Sequence, residues 1–221
     1  MIADRQTKIL QEARDFAYAE LKDETSGHDW WHIVRVTNIA VEIAKQERAD
    51  VFICELAALL HDIADGKLNE SEEVGLQKVE QWLQNHQASE AEIAHVLEIV
   101  STMSFKGDHQ QKNISTLEGK IVQDADRLDA IGAIGIARAM AYSGHIGRPI
   151  HDPDLQPREN MTLEEYRTGK SSAIMHFYEK LLKLKDMMNT AAAQKMAESR
   201  HRFLEEYLDQ FYAEWNAKSD K

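Results

Sequence analysis

Cysteine occurs once in 221 residues, so no internal disulfide framework exists. The single Cys54 sits in an apolar run, Val51-Phe52-Ile53-Cys54, and this usage fits a reducing compartment; a cytoplasmic protein is expected. Proline is scarce too: three residues, Pro149, Pro153 and Pro157, fall in one stretch, and glycine numbers only ten. With so few breakers, most of the chain is free to run as helix. Positive charge is the third deficit. Lys and Arg number 26 against 38 Asp and Glu, a formal net charge of −12. That balance argues against long nucleic acid or an anionic membrane as partner. The first residues, Met1-Ile2-Ala3-Asp4-Arg5-Gln6, lack the apolar run of a signal peptide. No stretch is long and apolar enough to span a bilayer. An acidic protein that handles phosphate therefore needs a local cation.

What is present is helical periodicity and enough apolar residues, 43%, for a sizeable core. No convincing period-two alternation occurs, so the expected fold is all-α. Ile9, Leu10, Ala13, Phe16 and Ala17 form a first stripe; Ile33, Val36, Ala40 and Ile43 form a second. Asp50 is a plausible N-cap for residues 51–63, apolar on most sides and expected to be central. Capping boxes are read at Ser89-Glu90-Ala91-Glu92, Ser115-Thr116-Leu117-Glu118 and Thr162-Leu163-Glu164-Glu165. Gly132, Gly135, Ala137, Ala139 and Ala141 predict a close helix contact. Residues 142–157 read as a long loop, with helical segments near 171–188 and 190–217. We expect one helical domain over 1–221, with a core at about 25–142 and a C-terminal helical part at about 158–217. A late stripe, Ala197, Phe203, Leu204, Leu208, Phe211 and Trp215, reads as a packing face, within the chain or against a second copy, which leaves a homodimer open.

Chemistry concentrates in His32, the pair His61-Asp62, and Asp126. Two imidazoles and two carboxylates suffice to hold one divalent cation, and burying four such groups without a partner would be costly. Mixed nitrogen and oxygen ligation without thiolate suits Mn²⁺, Fe²⁺, Co²⁺, Ni²⁺, Mg²⁺ or Zn²⁺. A cation with open positions acidifies water and clamps phosphate oxygens. Asp65 follows His61 by one helical turn and is the candidate general base, although Asp65-Gly66 is also a common turn pair. Lys67 lies just past it. His28, Arg35, Lys106 and Arg127 are the candidate phosphate-binding groups. Arg35, Lys67, Lys106 and Arg127 are individually also ready surface charges or carboxylate partners, and His28 a loop or N-terminal helix residue. His86, His95 and His109 read as surface or supporting groups, so one metal per subunit is expected. Trp30 and Trp31 could stack a base, with interior packing the default for both.

These residues resemble the HD-domain phosphohydrolase superfamily. Gly27-His28-Asp29-Trp30-Trp31-His32-Ile33-Val34-Arg35-Val36 is similar to its first motif, Leu60-His61-Asp62-Ile63-Ala64-Asp65-Gly66-Lys67 to the second, and Asp124-Ala125-Asp126-Arg127-Leu128-Asp129 to the last. Gly132-Ala133-Ile134-Gly135-Ile136-Ala137-Arg138-Ala139 and His176-Phe177-Tyr178-Glu179-Lys180-Leu181-Leu182 look like the bacterial YpgQ-like branch. The resemblance implies an all-α bundle with additional C-terminal helices. It implies His32, His61, Asp62 and Asp126 as metal ligands, with Asp129 the main competitor for the fourth place. Mn²⁺ is the favoured ion. The implied activity is hydrolysis of nucleoside or deoxynucleoside triphosphates to monophosphate and pyrophosphate by a metal-activated water. A nucleoside monophosphate, a signalling nucleotide or another phosphate ester remains an alternative substrate, and a catalytically silent nucleotide-binding module an alternative role.

Overall fold

A computed structural model describes residues 2–24, 29–65, 68–103, 114–158 and 169–217. Among these residues all regular structure is helical, as the periodicity predicts. In chain order the α-helices are α1 (Ile2–Leu21), α2 (Trp30–Glu47), α3 (Val51–Leu60), α4 (Glu72–Asn85), α5 (Glu90–Met103), α6 (Leu117–Asp129), α7 (Gly132–His145), α8 (Ala173–Glu179) and α9 (Ala191–Trp215). Two 3₁₀ helices join them, at His61–Ala64 and Leu181–Met187. The chain divides into two compact units, Met1–Asp126 and Arg127–Lys221.

The first unit is built around α3. Its N-cap is Asp50, whose Oδ1 accepts from the Ile53 amide at 3.1 Å, as expected. Eight of its ten residues are buried, so it presents no solvent face. It packs against α1, α2 and α5, while α4 lies on α5 and on the first 3₁₀ helix. The expected helix over 51–63 is α-helical only to Leu60; the last turn tightens to 3₁₀ geometry and carries His61 and Asp62. Gly75 of α4 lets that turn come close. A Cβ there would stand 2.7 Å from both Cα and O of Ala64.

Capping follows the expected pattern at one site and departs from it at another. Ser89 and Glu92 exchange both bonds of a capping box: the Ser89 amide donates to Glu92 Oε2 at 2.7 Å and the Glu92 amide to Ser89 Oγ at 3.3 Å. The box expected at Ser115–Glu118 does not form. Thr116 takes the N-cap place, accepting from the Gly119 amide, while Ser115 Oγ donates to Glu98 and Glu118 Oε1 accepts from the Asp50 amide. Both side chains are drawn away by partners distant in sequence. The box at 162–165 lies outside the described residues.

In the second unit α9 packs on α7 and on the second 3₁₀ helix, and α7 also meets α8. α7 runs to His145, so the connection expected from 142 begins at 146. The segment expected as helix near 171–188 is a short α-helix followed by 3₁₀ helix. The α9 stripe is covered only in part. Ala197, Leu204 and Leu208 are buried, whereas Phe203 and Trp215 are exposed. Residues 197, 204, 208, 211 and 215 share a side, and 203 falls about 100° around the helix from it; Trp215 is the last residue of the helix. No helix among the described residues is long and apolar enough to cross a membrane.

Candidate metal centre

Three elements of the first unit bring the chemistry together. His32 is the third residue of α2, where the N-cap Asp29 accepts from the His32 amide at 2.8 Å and fixes the first turn. His61 and Asp62 open the 3₁₀ helix. Asp126 comes from α6. His32 Nε2 stands 3.4 Å from Asp62 Oδ2 and 3.4 Å from Asp126 Oδ1, and His61 Nε2 stands 3.4 Å from Asp62 Oδ1. The two imidazoles meet edge to face with centroids 5.4 Å apart. One ligand atom each from His32, His61 and Asp126 lies within 4.8 Å of the others. Asp62 stands beside this triad and turns a different oxygen to each histidine.

Burial grades across the group. The His32 side chain is 1% exposed and Asp62 9%, while Asp126 reaches 39%. The floor is therefore dry and the α6 side is open to water.

The residues fit a divalent cation. His61 Nδ1 lies 2.8 Å from the Ala58 carbonyl oxygen, which can only accept, so Nδ1 carries the proton. Nε2 is left with a bare lone pair, and it is buried with no hydrogen-bond partner among the described residues. A backbone carbonyl on the far nitrogen is the usual support of a metal-binding histidine. Spacing agrees: neighbouring ligands around an ion with ~2.1 Å bonds are roughly 3–4 Å apart. Cys54 is no competing ligand. Burial, then Glu118 and Asp50, push its thiol up to about 12, so the thiolate a metal needs is not formed near neutral pH.

Asp129, the sequence competitor of Asp126, is 1% exposed, and its Oδ2 accepts from Arg138 Nη1 at 2.9 Å. Its carboxylate has an internal cation partner. Asp65 caps the 3₁₀ helix with extended backbone (φ −61°, ψ 133°), so α-helical spacing from His61 does not set its direction. Arg35 is half-buried on α2. Arg127 donates to the Met187 carbonyl within the second unit. His28, Lys67 and Lys106 lie outside the described residues, as does His109. Of the other histidines, His86 stacks on Trp82 at 4.0 Å and His95 approaches Glu118 at 3.5 Å. Interior packing holds for neither tryptophan in full. Trp30 is half-buried against Tyr18 at 5.6 Å, and Trp31 is 66% exposed.

Sequence reasoning missed the support around these groups. The Ala58 carbonyl left no residue-type signal, because any residue supplies one. Arg138 and Arg200, which donates to the Leu128 carbonyl, hold the C-terminal end of α6 from helices later in the chain.

A helical bundle with a histidine at one helix start, His-Asp at a second helix end and an aspartate on a third defines a class. The HD domain family model matches residues 30–131, and the chain belongs to the HD domain superfamily. Among individual proteins it is similar to YpgQ of Bacillus subtilis, 39% identical over 207 residues, which cover 93% of each chain. The crystal structure of YpgQ in complex with ADP matches at TM-score 0.78 and 37% identity, over 95% of this chain and 96% of that one. A Lactobacillus plantarum structure matches at TM-score 0.83 and 41% identity, over 96% and 98%. An HD-superfamily hydrolase structure from Bacillus thuringiensis matches at TM-score 0.78 and 47% identity, over 96% and 100%.

Proposed function

We propose that this protein is a metal-dependent phosphohydrolase that cleaves nucleoside triphosphates to the monophosphate and pyrophosphate. The observation that carries the reading is the bare, buried Nε2 of His61, facing His32 and the Asp62 and Asp126 carboxylates at one open-sided site. YpgQ, similar over nearly the whole chain, was crystallised with ADP, and this supports a nucleotide as ligand.

His32, His61, Asp62 and Asp126 would hold the ion, with Mn²⁺ the favoured one. A divalent cation bound there supplies Lewis acidity, acidifying water and polarising a phosphoryl oxygen. The protein's own groups do the rest. The Ala58 carbonyl holds the His61 tautomer. The Asp29 cap orients the turn that carries His32. Asp65, one residue past the 3₁₀ helix, is the proposed base, receiving the proton of the attacking water, and Lys67 is the second proposed catalytic group. Arg35, and with it His28, Lys106 and Arg127, are the proposed phosphate contacts, offsetting negative charge in an acidic chain. In the reaction a water oxygen bonds to the α-phosphorus, the α–β bridging P–O bond breaks, and pyrophosphate leaves with one proton released.

A nucleotide panel with Mn²⁺, Mg²⁺, Co²⁺, Ni²⁺ and Zn²⁺ tested separately, with phosphate and pyrophosphate both measured, tests this. Pyrophosphate from a triphosphate, lost in Asp62→Ala, is expected. Inorganic phosphate from a monophosphate would move the activity to the alternative substrate. Nucleotide binding without turnover under any metal would make the chain a binding module.

A further inference from the structure

Trp31 is unusual for where it stands. It is the most exposed large apolar side chain in the described residues, at 66%, and its chain neighbour is His32, the most buried member of the metal cluster. The adjacent Trp30 has an aromatic partner in Tyr18; Trp31 makes no ring contact among the described residues. An indole two-thirds open to water beside a dry polar site offers apolar ring surface to a ligand.

Its direction follows from helix geometry. Successive residues of α2 turn by about 100°, so Arg35 lies about 60° from His32 on one side and Trp31 about 100° on that same side. Going around α2 from the site, the order is metal ligand, guanidinium, indole. All three sit in the first two turns of the helix, whose N-terminal turn is held by Asp29. A nucleotide has the matching order: a phosphate that seeks the metal and cations, a ribose, and then a flat base one side-chain length further out.

We infer that Trp31 is the platform on which the base of the bound nucleotide stacks. This rests on the nucleotide reading above and deepens it. Stacking uses the face every base shares, so Trp31 gives affinity without selecting one base. Purines, with the larger face, bind better than pyrimidines. Substrate choice is then set by the phosphate end, and the enzyme accepts a range of bases.

The test is calorimetric binding of ADP and of pyrophosphate to the Mn²⁺-loaded full chain, comparing the parent with Trp31→Ala and Trp31→Phe. Alanine is expected to weaken ADP about ten-fold, with the loss for pyrophosphate at least about five-fold smaller, and phenylalanine to restore most of the ADP affinity. Equal losses for both ligands would overturn the proposal, because Trp31 would then serve the metal site or the fold. A parent that binds pyrophosphate as tightly as ADP would overturn it as well, leaving the phosphohydrolase reading standing. The expected ADP losses in a chain that turns over no triphosphate would retain the stacking role and remove the activity.

Discussion

At the scale of single residues, the difference between Asp126 and Asp129 is one of partners. They sit three apart on α6, where a helix places side chains on a shared side. Asp126 stands 3.4 Å from His32 Nε2 and is partly open to water, whereas Asp129 is buried and paired with Arg138. The two should therefore fail differently. Asp126→Ala is expected to lose the ion in a calorimetric metal titration with little loss of fold. Asp129→Asn should keep one ion per chain but cost about 3 kcal/mol in chemical denaturation, since it removes a buried carboxylate charge that accepts from Arg138. Metal loss in Asp129→Asn at unchanged stability would reverse the assignment.

A second residue-scale prediction concerns Glu92. Its hydrogen bond with Arg5, at 2.5 Å, holds its carboxyl down at about 2, with the Ser89 amide adding to the effect against the opposing influence of burial. A depressed carboxyl stabilises the fold above its unfolded value near 4.5 and loses that contribution as the pH falls toward 2. Discounted for the partial exposure of Arg5, the pair contributes about 1–2 kcal/mol at neutral pH. Glu92→Gln should be less stable than the parent by that amount at pH 7, and the gap should close between about pH 4.5 and 2 in denaturant titrations. A gap that persists at pH 2 would mean the contribution is not electrostatic.

At the scale of elements, the placement of His61 and Asp62 depends on how tightly α4 meets the 3₁₀ helix. Gly75 permits that approach, because a Cβ would press on Ala64 backbone that cannot swing aside. Gly75→Ala is expected to cost about 2 kcal/mol and to weaken metal binding, because the turn bearing the two ligands must shift. Unchanged metal affinity in a destabilised variant would show the turn to be held by other contacts. This scale also marks how far the sequence could be read. Asp50 and Ser89 announced their helix starts because a cap is a local bond between residues a few positions apart. Ser115 did not cap because Glu98, 17 residues earlier, takes its hydroxyl. The change from α to 3₁₀ at Leu60 was equally hidden, since residues 51–64 carry no breaker to announce it.

At the scale of the whole molecule, the scarcity of proline and glycine made an all-helical chain legible, and His32, His61-Asp62 and Asp126 were legible as residue types in order. Two things were not. The bare Nε2 of His61 depends on a carbonyl, which sequence does not distinguish. The exposure of Trp31 depends on what fails to cover it, which no local pattern records. An acidic chain with two carboxylates facing one site should also be stabilised as a whole by its cation. Ligand at one hundred times its dissociation constant stabilises by about 2.7 kcal/mol, or about 5–10 °C in Tm for a chain of this size. Thermal scans with and without Mn²⁺ should show that rise in the parent and none in His61→Ala. An equal rise in both would place the ion elsewhere.

The most direct test of the account is turnover of a nucleoside triphosphate by chain stripped with a chelator, then titrated with Mn²⁺ while pyrophosphate is measured. The account predicts no activity in the stripped chain, full recovery at one ion per chain, and no recovery in Asp126→Ala. Pyrophosphate release from the stripped chain, or recovery in Asp126→Ala equal to the parent, would contradict it.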